Sequence, residues 1–291
     1  MKPAPFELHI PQSLQEALGM VSDLANARVI AGGQSLMPML NMRLAMPDHI
    51  IDLNGIAEMQ SINEVSGTIA IGAMTRQRDL EFSALIQQKI PLMTEAILLL
   101  GHRQTRNRGT IGGSLCHLDP SAELPTVCMA MDATLVCTGA GGERLLPMQI
   151  FAEGMMTTSL APDELLTEIR LTPWAPDHGY SFIEFGRRHG DFAIASAAVL
   201  IDCGRDGRVT RASLTLGGVG PVPIRVGVGE AMLLGSDCNT ALLDAAAAEA
   251  GMFDALDDPA YPAAYRRRLA KMLLRRALDV AVRRARKTTL N

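Results

Sequence analysis

Residues 31–40 read AGGQSLMPML: two glycines leave the apolar run Ala27-Arg28-Val29-Ile30, and the polar pair Gln34-Ser35 follows them. Thr110-Ile111-Gly112-Gly113-Ser114 repeats the design later in the chain. Each segment is a glycine pair framed by hydroxyl or amide side chains. Without Cβ atoms the backbone can take positive φ and turn successive N–H groups toward one concavity. That suits a phosphate oxygen, and a close ligand meets no side chain. Ser35, Thr110 and Ser114 would add hydroxyl donors. Either pair alone reads as a plain turn in a chain with 26 glycines; the two together suit the pyrophosphate of a dinucleotide.

Spacing excludes two other phosphate motifs. Gly32 and Gly33 are adjacent and the next glycine is Gly55, so there is no G-x-G-x-x-G, although Asp52 stands where a ribose-binding acid would. No G-K-[ST] occurs, which removes the P-loop.

Composition sets wider limits. The chain has 291 residues, 48% hydrophobic and 20% charged, which describes a globular protein long enough for two or three packed units. Its net charge is −4, yet ten Lys and Arg and a single acid lie between Arg266 and Lys287. Clustered arginine can serve nucleic acid. Here, however, the arginines punctuate an amphipathic helix, so no nucleic acid is expected, and an acidic patch on the chain's own body or on a partner is the expected contact. The five cysteines form no C-x-x-C, and the six histidines include no ligand pair at helical spacing. The expectation is a chain with no metal site and no cluster of its own. MKPAPFELHI lacks the apolar core of a secretory signal, and no stretch approaches the ~18 apolar residues of a membrane span. The expected location is cytoplasmic, without membrane insertion.

Ser13-Leu14-Gln15-Glu16 has the capping-box pattern and predicts a helix to about Leu24. Residues 27–31, 49–53 and 68–73 read as short strands, and Thr75 to Leu100 as helical with a break near Pro91. Residues 101–125 show neither regular period and read as a long loop. A hairpin follows around Gly139 to Gly142, then a strand from Glu164 to Leu171. Two prolines and a glycine in residues 172–179 mark a domain boundary. Beyond it comes a hairpin turning at Asp206-Gly207 and a last helix with Leu269, Met272, Leu273, Ala277 and Val280 on one face.

VIAGGQSLMPMLNMRLAMPDHIIDL (29–53), GAMTR (72–76) and GHRQTRNRGTIGGSLCHLDPSAELP (101–125) resemble the FAD-binding medium subunit of molybdenum hydroxylases, the family that includes carbon monoxide dehydrogenase and bacterial xanthine dehydrogenase. The resemblance continues in family order through ELLTEIRL, RRHGDFAIASAAV (187–199), GGVGPVPIR (217–225) and YRRRLAKMLLRRAL, and covers nearly the whole chain.

What the resemblance implies is an α+β, vanillyl-alcohol-oxidase-like (PCMH-type) FAD-binding fold. Two α/β subdomains, about 1–55 and 56–175, would clasp FAD, and a C-terminal domain over 178–285 would carry a three-stranded antiparallel sheet and helices. Val29, Ile30, Ala31, Gly32, Gly33, Gln34, Ser35 and Leu36, with Thr110, Ile111, Gly112, Gly113 and Ser114, would hold the pyrophosphate and ribityl chain. Glu123 matches an acid that hydrogen-bonds the cofactor, and Leu166 a position whose main chain meets the flavin ring. Phe192 falls beside the isoalloxazine, or is simply a core residue. Glu184 stands where relatives often carry lysine, a reversal of charge that could alter the flavin potential or acceptor docking.

The implied function is electron transfer. A large molybdopterin-binding subunit oxidises substrate, a small subunit carries two [2Fe-2S] clusters, and this chain's FAD passes electrons to NAD, a quinone or another acceptor, within a dimer of heterotrimers. No general acid, base or nucleophile is assigned in this chain. A stand-alone flavoprotein oxidoreductase and a cofactor-free structural subunit remain as alternatives. Residues 217–225 and the terminal helices are candidates equally for subunit contact and for internal packing.

Overall fold

Ser13 caps the helix Leu14–Asp23, its hydroxyl accepting from the Glu16 amide at 3.2 Å. In this computed structural model, which describes residues 1–289, the Glu16 carboxylate reaches back to the Gln12 amide at 2.7 Å, one residue before the usual capping-box partner. The helix covers a three-stranded parallel sheet in the order Glu7–His9, His49–Asp52, Ala27–Ile30. The chain leaves Ala27–Ile30 through the first glycine pair, forms the short helix Leu36–Asn41, and returns to the central strand.

The second sheet is antiparallel, in the order Ile62–Val65, Thr68–Gly72, Leu165–Leu171, Thr134–Gly139, Gly142–Pro147. Its first hairpin turns through Ser66 and Gly67, with φ 51° and 80°, the paired left-handed conformation that a two-residue turn between right-twisted strands requires. Helices Gln77–Phe82, Ala84–Lys89 and Pro91–Leu99 follow. Pro91 occupies a first-turn position, and Ser83 adds a second break by capping the middle helix.

Residues 101–125 depart from the expected loop. They hold the helices Arg103–Arg108 and Ile111–His117 and the start of Glu123–Ala130. Such short helices show little of the 3.6-residue period, and tertiary contacts stabilise them. Arg106 is buried, with Nε 2.9 Å from the Glu81 carboxylate and a terminal nitrogen 2.9 Å from the Leu100 carbonyl.

The third sheet runs Gly179–Phe185, Ala195–Cys203, Val209–Gly217, Ile224–Arg225, all antiparallel. The expected three strands are present, and a two-residue edge strand is added to them. The strand Ala195–Cys203 divides its faces between two cores. Ala198 and Leu200 pack into the cluster built by the first two sheets, whereas Ala197, Val199 and Ile201 face the helical cluster on the other side.

The last helix, Ala263–Thr289, lies along the first two strands of this sheet. Leu269, Leu273 and Ala277 are buried as the pattern predicts, but Met272 is exposed and Val280 only half-buried. The buried stripe instead widens through Ala270, Leu274, Leu278 and Ala281, because a helix lying on a sheet buries a broad face on which alanines count. Its basic residues meet the chain's own acids: Arg266 and Asp258 at 2.6 Å, Arg275 and Asp244 at 2.5 Å, Arg284 and Glu95 at 2.6 Å. Residues 217–225 also pack internally. Gly217 lies against Thr126 and Ser196, Val219 is fully buried, and Arg225 pairs with Glu230 and Asp132. Among the described residues no helix is long and apolar enough to cross a membrane.

Candidate cofactor site

The two glycine pairs meet. A Cβ on Gly32 would strike the Arg108 carbonyl and lie 2.7 Å from the Gly109 Cα, and one on Gly113 would sit 3.4 Å from the Ala31 Cβ. The missing side chain at Gly32 therefore admits the backbone of Arg108 and Gly109, just before the other segment. Arg76, missed in the sequence as a site residue although it closes GAMTR, ties the junction together. Its guanidinium donates to the Arg108 carbonyl and to Asn54 Oδ1, while Asn54 Nδ2 donates to the Ala31 carbonyl at 2.9 Å. Burial, and next the nearby Arg108 charge, lower the Arg76 pKa from its ordinary value.

Within the first loop only Gly33 has positive φ, 73°. No amide from Gly32 through Leu36 donates to an acceptor among the described residues, and the Ser35 hydroxyl caps nothing. Five consecutive unpaired N–H groups stand where the chain turns from strand to helix. Gly32 is buried, Gly33, Ser35 and Leu36 are half-buried and Gln34 is exposed, and the amides entering a helix have no intrahelical acceptor, so the run is open to a ligand or to solvent.

The second segment is built differently. Neither Gly112 nor Gly113 has positive φ; both lie in the helix Ile111–His117. The Ile111 amide donates to the Thr75 carbonyl at 3.1 Å, Gly112 to the Ala73 carbonyl at 2.8 Å, Gly113 to the Thr110 hydroxyl at 3.0 Å, and Ser114 to the Thr110 carbonyl at 3.2 Å. A Cβ on Gly112 would fall 2.6 Å from the Ala73 carbonyl oxygen. This segment's amides are engaged within the protein, and what it offers a ligand is the half-buried Ser114 hydroxyl.

The helix Ile111–His117 packs on the strand Leu165–Leu171 and on the helix Glu123–Ala130. Leu166 is buried beside a bulge whose middle residue, Thr167, accepts the Ala73 amide at 2.9 Å. Glu123 opens its helix and is buried; burial first, and then the charge of Glu184, push its pKa up to about 8. Burial also raises Glu184 to about 7, and its Oε2 is buried without a partner among the described residues. Phe192 is 70% exposed, so the core reading of that residue is corrected. It sits between strands on a loop whose Gly190, at φ 84°, lies against His102.

A family described as the FAD binding domain in molybdopterin dehydrogenase matches residues 4–174, and the CO dehydrogenase flavoprotein C-terminal domain matches residues 180–281. The chain belongs to this family. It is 38% identical to the 6-hydroxypseudooxynicotine dehydrogenase complex subunit alpha of Paenarthrobacter nicotinovorans, covering 99% of this chain and 98% of that one. It is 36% identical to the carbon monoxide dehydrogenase medium chain of Hydrogenophaga pseudoflava, covering 97% and 98%. A solved carbon monoxide dehydrogenase from Hydrogenophaga pseudoflava, lacking the Mo-pyranopterin moiety of its molybdenum cofactor, superimposes with a TM-score of 0.95 at 37% identity over 98% of this chain and 99% of that one. The fold is thus the PCMH-type FAD-binding fold, the chain is an oxidoreductase subunit, and FAD is its cofactor. The residues present fit that group: free amides and hydroxyls for phosphate oxygens at Gly32 to Leu36 and Ser114, and an unpartnered buried carboxyl oxygen at Glu184.

Proposed function

We propose that this chain is the electron-transfer subunit of a heteromeric molybdenum hydroxylase. It accepts electrons from [2Fe-2S] clusters of a small iron-sulfur subunit and passes them to NAD, a quinone or another acceptor. A large molybdopterin-binding subunit completes the complex, a dimer of such heterotrimers is its expected form, and its location is the cytoplasm. Residues 1–55 and 56–175 form the cofactor clasp, and residues 178–285 the C-terminal domain. Bound FAD supplies exchange of electrons singly or in pairs, which joins one-electron clusters to a two-electron acceptor.

The chain's own residues bind, orient and tune. The Gly32 to Leu36 amides with the Ser35 and Ser114 hydroxyls hold phosphate and ribityl oxygens, Val29 to Ala31 lead into that loop, and Thr110 to Gly113 fix its far wall. Glu123, held protonated near neutral pH by burial, can donate a hydrogen bond from its carboxyl. The Leu166 main chain, Glu184 and Phe192 would face the flavin ring and tune it.

The single observation that carries this reading is the run of five unpaired amides at the junction of the two segments. The test is purification of the native assembly, with flavin, iron and molybdenum measured per chain. The reading expects one FAD per chain and co-purifying iron-sulfur and molybdenum subunits. Gly33→Val should lose FAD while the far-ultraviolet circular dichroism is kept. A variant that keeps its full flavin complement refutes the loop assignment, and an assembly without iron and molybdenum refutes the electron path.

A further inference from the structure

Glu7, His9 and His49 come together at one edge of the parallel sheet, away from the glycine pairs. Glu7 and His9 are two residues apart on the strand Glu7–His9 and so share a face, and the register sets Glu7 directly opposite His49. His9 Nε2 lies 3.1 Å from His49 Nδ1, and His49 Nδ1 lies 3.6 Å from Glu7 Oε2. One ligand atom from each residue falls within 4.8 Å of the other two.

Those separations match a coordination sphere. Around a tetrahedral zinc ion with bonds of ~2.0 to 2.1 Å, neighbouring ligand atoms stand about 3.3 Å apart. Two of the separations bracket that edge length and all three ligand atoms lie within 4.8 Å of one another, so a cation would draw the exposed Glu7 carboxylate inward. Two imidazoles and one carboxylate are a donor set that suits zinc among the divalent cations, whereas calcium and magnesium favour oxygen alone. Both histidines are half-buried. His9 also lines a surface depression of about 340 Å³ with Glu16 and Asp23.

We propose that Glu7, His9 and His49 form a binding site for a divalent transition-metal ion of the zinc class. In the metal-free arrangement the facing ring nitrogens share one hydrogen bond. When the ion binds, His9 coordinates through Nε2 and His49 through Nδ1, and each neutral ring carries its proton on the other nitrogen. The ion joins the three-residue edge strand to the central strand that leads into Asp52. Its role is therefore structural, fastening the N-terminal segment to the sheet that carries the first glycine loop.

The thiols compete poorly for the ion. Burial raises the Cys116 thiol to about 12, and also raises Cys203, so both stay protonated near neutral pH. The proposal is independent of the electron-transfer reading.

The test uses the full chain in its purified complex, dialysed against chelator and titrated with zinc chloride, with zinc counted by mass spectrometry. One zinc per chain is expected at micromolar zinc, together with a rise in the thermal midpoint, because the ion binds the folded state alone. His49→Ala, folded by circular dichroism, should lose both the stoichiometric zinc and the rise. The isosteric Glu7→Gln should weaken zinc severalfold, and Cys203→Ser should leave it unchanged. Absence of stoichiometric zinc in the wild type, or uptake undiminished in His49→Ala, overturns the proposal.

Discussion

AGGQS and TIGGS look alike on paper and differ in the fold. In the first, Gly33 turns left-handed and five amides in a row have no partner among the described residues; in the second, both glycines are helical and every amide from Ile111 to Ser114 is paired inside the protein. Gly32 of the first pair makes room for the Arg108 and Gly109 backbone while the amides after it stay free for a ligand, and Gly112 of the second lets a helix lie on the Ala73 backbone. A Gly-Gly pair thus records only that something approaches closely. Whether that is a phosphate or another part of the chain depends on where the N–H groups end up.

Between Gly33 and Gly112, the larger expected effect lies on Gly112. Gly112→Ala places a methyl 2.6 Å from the Ala73 carbonyl oxygen and should cost about 3 kcal/mol of stability, read from a urea midpoint. A variant of unchanged stability that lost only FAD would erase the distinction between the two pairs.

Next comes a pH dependence beyond the second segment. Glu123 and Glu184 have folded pKa values of about 8 and about 7, above the ordinary 4.5, so the folded chain binds more protons than the unfolded one across that interval. Stability is then full below the ordinary carboxylate pKa, falls as pH rises through the interval, and levels off above it. Urea midpoints collected across the interval should show the decline, and Glu184→Gln should make it shallower.

Arg76→Ala removes the donor that joins the Arg108 carbonyl and Asn54, and should cost about 2 kcal/mol while loosening FAD. Gly33→Ala should cost only about 1 to 2 kcal/mol, from the strain of a left-handed alanine, yet release flavin more readily than that loss suggests. Equilibrium dialysis against FAD beside a thermal melt separates the two effects. Smallest is the pair Ser35→Ala and Ser114→Ala. Each should weaken FAD severalfold, by about 1 kcal/mol, with the melt unmoved. Equal loss of stability and flavin at Gly33 and Gly112 would mean that both pairs serve packing.

Much of the fold was legible because its signals are local. The Ser13 cap needs only a hydroxyl and a carboxylate three residues apart, and the strands at Ala27–Ile30, His49–Asp52 and Thr68–Gly72 are β-rich runs between turn formers. The helices inside 101–125 were hidden because their stability comes from Glu81, Leu100, Thr75 and Ala73, residues outside the segment. Asn54 and Arg76 were equally hidden as site residues, since hydrogen bonds over tens of positions leave no mark on spacing. The same holds for His9 and His49, which the pairing of two distant strands brings within 3.1 Å.

The sequence by itself determined the family, the cofactor class and which short segments approach something closely, because glycines, caps and turn residues act on the backbone within a few positions. Only the tertiary structure decided which amides stay unpaired and which carboxyls lose their solvent. Pairing and burial depend on neighbours that the chain brings together from far apart, and no local pattern encodes them.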